Sequence, residues 1–143
     1  MCKEIISYVY PTLIKESMPA GNVYLPQISI VPDERSATQT LSVTAGFILH
    51  QVGVYYMEVC VYRNDESLIV SPDLSDGLIE TKFYERAGTS TLLTIYSMIA
   101  SKVDLSHDGI YRVSVKTYRS QDGVRDDHPA AENECFFHVS HRD

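Results

Sequence analysis

The pattern Leu-x-x-x-Gly-x-Tyr leading into an alternating run occurs twice in this chain, 56 residues apart, and it restricts the fold more than any other feature. Leu49, Gly53, Tyr55, Val59, Tyr62 and Arg63 of the first copy recur in register as Leu105, Gly109, Tyr111, Val115, Tyr118 and Arg119. In each copy the glycine ends a turn, and the residues after it change character with period two, which is the signature of a strand rather than a helix. Tyr55, Met57, Val59 and Val61 share one face of the first strand, and Tyr56, Glu58, Cys60 and Tyr62 the other. Parity assigns the first set to a core. It likewise turns Tyr111, Val113, Val115 and Thr117 inward on the second strand.

The remaining segments read as strands joined by turns. Residues 4–10 are apolar and β-prone, and Pro11 is expected to end them. A loop is expected to Asn22, then a strand over 23–31 with Tyr24, Ile28 and Ile30 on one face and Pro26 suggesting an edge position. Leu41, Val43, Ala45, Phe47 and Leu49 alternate with Thr40, Ser42, Thr44 and Gly46, predicting a strand with one buried face. The link 50–53 reads as a hairpin turn into the first repeat strand. Asn64-Asp65-Glu66 turns the chain, 68–70 is a short strand, 71–77 a loop, and 78–84 a strand with Ile79 and Phe83 inward. Ala87-Gly88-Thr89 is a further turn. The apolar residues of 91–100 suit a helix or a strand, and their Thr, Ile and Tyr content favours the strand. Residues 120–131 read as a polar loop, and 132–140 as a last strand with Cys135, Phe137 and Val139 inward. About nine strands are expected in one domain over 1–143, with an N-terminal strand and loop at 1–22 and a sandwich body at 23–140.

Composition limits the function classes. The net charge of −7 argues against duplex DNA, whose binding needs clustered Lys and Arg. The charge is uneven, −1 over residues 1–63 and −6 over 64–143. Cys2, Cys60 and Cys135 cannot all pair within one chain, and the apolar run Ile5-Ile6 reads as neither a signal peptide nor a membrane span. Free thiols in a reducing, cytoplasmic setting are the expectation.

Leu93-Thr94-Ile95, followed by Leu105-Ser106-His107-Asp108-Gly109-Ile110-Tyr111-Arg112-Val113, resembles the passage from strand E to strand F of immunoglobulin-like domains. There a Tyr near the start of strand F closes the corner with its hydroxyl. This chain departs from immunoglobulins in carrying Val113 where the strand-F cysteine stands, in having no Trp, and in a longer stretch between Ile95 and Asp108. The resemblance implies an all-β fold, an immunoglobulin-like antiparallel β-sandwich of about seven to nine strands. It also implies that 54–63, 110–119 and 132–140 lie side by side as strands C, F and G. Their outward residues would then form one face, and Tyr56, Glu58, Tyr62, Arg112, Lys116, Tyr118, Phe136 and His138 are its candidate binding residues. Glu58 is expected among Arg112 and Lys116.

Exposed aromatic rings interleaved with Arg and Lys have the composition of an interface centre. The alternative is that tyrosines merely cover a sheet. A second candidate is the loop 121–128, whose Asp122, Asp126 and Asp127 with Asp104 and Asp108 supply oxygens for Ca²⁺, although the spacing fits no calcium loop and Arg125 opposes a cation. His138 and His141 fall on opposite faces of a strand and do not chelate together. Neither a nucleophile elbow, a phosphate loop, a dinucleotide fingerprint nor a deaminase signature occurs. The expectation is a non-enzyme without cofactor or metal that binds a protein partner or assembles with itself, of the type of bacterial and phage accessory or inhibitor proteins. The alternative is a carbohydrate-binding sandwich that uses the same tyrosines as stacking platforms.

Overall fold

A computed structural model describes residues 4–15, 25–32, 38–50, 54–68, 78–80, 85–87, 91–121 and 124–141. All regular elements among them are strands: β1 (Ile5–Ile14), β2 (Ser29–Ile30), β3 (Thr38–Leu49), β4 (Val54–Arg63), β5 (Glu66–Ser67), β6 (Leu78–Glu80), β7 (Glu85–Ala87), β8 (Thr91–Asp104), β9 (Gly109–Gln121), β10 (Val124–Arg125) and β11 (Ala131–Val139). They form two packed sheets, one in the order β1-β3-β8-β7, the other in the order β2-β11-β9-β4-β5 with β6 also on β4 and β10 on β9. Pairing is antiparallel except where β2 runs parallel to β11. The two repeat strands β4 and β9 are neighbours, and β11 lies on the far side of β9, as the strand C, F and G assignment requires.

The inward parity read from the repeats holds. Tyr55, Met57, Val61, Tyr111, Val113, Val115 and Thr117 are buried, and Val59 packs against the core as a partly buried neighbour. They meet Leu41, Val43, Ala45, Phe47 and Leu49 of the facing sheet. Tyr111 stacks on Phe137 at 5.4 Å, and the Phe47 ring meets Tyr96 edge-on at 6.2 Å. At the corner before β9 the Tyr111 hydroxyl donates to the His107 carbonyl at 2.7 Å, and Gly109 adopts φ +138°, which a side chain would strain. The segment 91–100 is strand throughout, because β8 pairs along β3 from Thr38↔Asp104 to Leu49↔Leu92.

Several expectations are corrected. The link between β3 and β4 is not a hairpin, since the two strands belong to different sheets and the chain crosses the sandwich there. Pro11 does not end β1. Its carbonyl accepts the N–H of Gln27 at 3.1 Å and so points away from β3, and a proline in that position forfeits no N–H to the ladder. The strand expected over 23–31 reduces to Ser29–Ile30, and Ile28 is 80% exposed while Ile30 is buried. Tyr24 and the loop 71–77 lie outside the described residues, as do the side chains of Ile79 and Phe83. Glu66–Ser67 is brought back onto β4 by Asn64 (φ 51°) and Asp65 (φ 65°), the two positive-φ residues of a tight hairpin, and the Leu68 N–H continues to the Val61 carbonyl at 2.8 Å; residues 69 and 70 of the strand expected at 68–70 lie outside the described residues. The polar loop after β9 contains β10, which folds back on the end of β9. Finally, β3 is buried on both faces at its centre: Ser42 and Thr44, which alternate with the core residues, are as enclosed as Val43 and Ala45.

Candidate interaction face

The register across β4, β9 and β11 brings all eight candidate residues onto one outward surface. Tyr62, Arg112 and Phe136 form one row, Cys60, Ser114 and Glu134 the next, then Glu58, Lys116 and Glu132, then Tyr56 with Tyr118. His138 extends the face beside Ile110, held by its backbone N–H on the Ile28 carbonyl at 2.8 Å. Alternation puts these residues outside because their neighbours in sequence fill the core.

The rings and charges on this face are tied to one another. The Arg112 guanidinium lies over the Tyr62 ring at 4.4 Å and is held by Glu134 at 3.0 Å, with Asp65 at 3.8 Å. The Tyr62 phenol hydrogen-bonds Cys60, which with burial pushes it up to about 12. The Cys60 thiol in turn donates to Glu58 over 3.5 Å. Glu58 also accepts the Tyr118 hydroxyl at 3.0 Å and approaches Arg125 at 3.7 Å, while Arg125 covers the Tyr118 ring at 4.3 Å. A continuous line thus runs down the face from Arg112 to Arg125. Its members lose little side-chain freedom when something docks, since their rotamers are already held.

Two expectations change here. Glu58 stands in register with Lys116, but its ion pair is with Arg125; Arg112 pairs with Glu134 and Asp65 instead. Tyr118 points outward yet keeps only 6% of its surface, because Arg125 lies on its ring and its hydroxyl is engaged by Glu58. It supports the face from beneath. The ring that projects is Phe136, 57% exposed, next to Arg112. Sequence reasoning missed Arg125 as a member of the face, because it lies in what reads as a loop. Residues 122 and 123 of the proposed cation loop lie outside the described residues, and Arg125 reaches the face instead of a ligand set.

Burial, ahead of the neighbouring charges, raises the Cys60 thiol above its ordinary value and takes Cys135 up to about 11. Both are free thiols, and neither is ionised at neutral pH, so neither has the thiolate that nucleophilic chemistry requires.

No family model and no curated protein matches the chain. A solved structure does. A bacterial adhesin from Mobiluncus mulieris, containing intramolecular disulfide, isopeptide and ester bond cross-links, superposes with a TM-score of 0.54 at 11% identity. The match covers 97% of this chain and 58% of the adhesin chain, so this protein spans a little over half of that length. The likeness is one of fold.

Proposed function

We propose that this protein is a non-catalytic, immunoglobulin-like interaction module that binds a protein partner through the outward face of β4, β9 and β11. The observation that carries the reading is the pairing of a projecting ring, Phe136, with an Arg112 held in place by Tyr62 and Glu134. Aromatic residues and Arg dominate the energetics of interface centres, most of all where they are held before contact. The adhesin-like fold fits such a role, since it offers broad sheet surfaces on a rigid sandwich. Cytoplasmic residence is part of the proposal and rests on the free thiols.

The test is affinity capture from the source cell with the native chain and with Arg112→Ala combined with Phe136→Ala. Both side chains stand on the surface, so the variant keeps its fold. A protein retained by the native chain and lost with the variant is the expected result. Equal retention by both, or retention of the native chain on a polysaccharide matrix with no protein captured, overturns it.

A further inference from the structure

The outer edge of β11 is only partly covered. β2 runs along it at His138↔Ser29 and Val139↔Ile30, where the His138 N–H donates to the Ile28 carbonyl at 2.8 Å and the Ser140 N–H to the Ile30 carbonyl at 3.1 Å. From Ala131 to Phe137 no described strand lies on that edge, while β9 pairs the other edge along the whole of β11. Backbone groups alternate between the two edges of a strand, so Phe136, Glu134 and Glu132 aim theirs the same way as His138 and Ser140. The Glu134 N–H agrees, since it turns to Asn133 Oδ1 at 2.8 Å instead of to β9. Burial changes at the same boundary. Of the side chains that β11 turns inward, Phe137 and Val139 beside β2 keep 2% and 0% of their surface. Asn133 and Cys135, above β2, are only half-buried, although Cys135 packs against the core.

We propose that a protein partner docks by adding a strand to β11 above β2, and that the strand it supplies is basic on its outward side. The proposal rests on the reading of the β4, β9 and β11 face as a protein-binding surface, which this edge continues. Another extended chain, about 4.8 Å away, is what matches a row of main-chain N–H and C=O groups, and its alternate side chains supply the specificity. Outward side chains of the added strand stand beside Glu132, Glu134 and Phe136, all exposed, which asks for Lys or Arg against the carboxylates and a ring against Phe136. Inward ones lie against Ala131 and Cys135, both packed on the core, which asks for Val or Ile. The neighbouring edge of β1 is guarded against the same pairing. Asn133 Nδ2 donates to the Ile6 carbonyl, Gln27 Oε1 accepts the Leu13 N–H, and the Gln27 N–H binds the Pro11 carbonyl. On β11 the one such cap among the described residues above β2 is the exposed Asn133–Glu134 contact, which an incoming carbonyl can displace.

The probe is a capped peptide of about seven residues that alternates Val with Lys and carries one Tyr among the Lys positions. Hydrogen exchange of the free chain, followed by NMR, is expected to be fast at the Phe136 amide and slow at those of Cys135 and Phe137, which face β9. With about 1 mM peptide the Phe136 amide is expected to slow at least about tenfold. A peptide with Glu in place of Lys is expected to bind at least about tenfold more weakly. An added strand uses only alternate amides, so N-methylating one alternate set of the peptide is expected to abolish binding and N-methylating the other set to leave it. Glu134→Pro removes an N–H that β9 does not use, so it is expected to keep the native circular dichroism and to lose the peptide. Should that variant fold poorly, the methylated peptides decide alone. A Phe136 amide already protected in the free chain overturns the proposal. So does a Lys peptide that fails to bind at that concentration, or one whose binding survives both methylations or a folded Glu134→Pro. Capture of a protein partner with Arg112→Ala and Phe136→Ala, run alongside, reports on the face alone, so the two readings fail separately.

Discussion

The Tyr111 ring is wholly inside the sandwich, yet its hydroxyl reaches back to the His107 carbonyl at 2.7 Å. Replacing it with Phe keeps the ring and removes one buried hydrogen bond, for an expected loss of about 1 kcal/mol. Urea unfolding of Tyr111→Phe should show a lower midpoint at unchanged slope. The thiols give a second check at this scale. Burial raises Cys60 and brings Cys135 up to about 11 from an ordinary value of 9. Both should react with iodoacetamide far more slowly at neutral pH than an exposed thiol, and Cys135 should accelerate only as pH approaches 11. In the unfolded chain the thiol ionises near its ordinary value. The contribution of Cys135 to stability is therefore complete below about 9 and is lost as pH rises through about 11. Tyr111 was legible in the sequence, because its corner is local and its partner lies four residues away. The burial of Tyr118 was not, because Arg125 and Glu58 reach it from other strands.

Strand β1 shows how an element's length depends on its neighbours. A proline in a hydrophobic run suggests a stop, but β1 is an edge strand whose free side is satisfied by side chains rather than by another ladder. Gln27 is the main clasp, accepting the Leu13 N–H at 2.9 Å while its own N–H donates to Pro11. Gln27→Ala is expected to speed hydrogen exchange at the Leu13 amide by about tenfold or more, with core amides such as that of Val113 unchanged. Strand β8 makes the complementary point. Its apolar residues are compatible with either periodicity, and pairing with β3 along the whole of its length selects the strand. The hairpin expected between β3 and β4 failed for the same kind of reason: a short polar link is equally suited to turning within a sheet and to crossing between sheets.

At the scale of the molecule, the two sheets are fastened by a residue that the sequence does not advertise. Glu4 precedes β1 in one sheet, and its side chain is fully enclosed. Its Oε1 accepts Arg119 Nε of the other sheet at 2.8 Å, with a second contact from the same guanidinium, and its Oε2 accepts the His50 N–H at 2.8 Å. Glu4→Ala removes the anion and leaves Arg119 and the His50 amide short of partners, so a loss of about 3 kcal/mol is expected, read as a fall in Tm. At the other end of the sandwich, His141 contacts Asp108 and pins the chain beyond β11 to the turn before β9.

What the sequence determined by itself was local and periodic. Period-two alternation marked the long strands and assigned their inward faces, and a twice-used turn-and-strand phrase set two of them apart as equivalent. Side-by-side placement of β4, β9 and β11 was legible through the likeness of the corner at Tyr111. What only the tertiary structure decided was which charges pair and which outward rings remain accessible. Those outcomes depend on register between residues fifty or more positions apart, such as Thr44 with Ser97 or Glu58 with Tyr118. A one-residue slip in any of these ladders would turn every side chain to the other face, and no window of sequence short enough to show a period contains both strands.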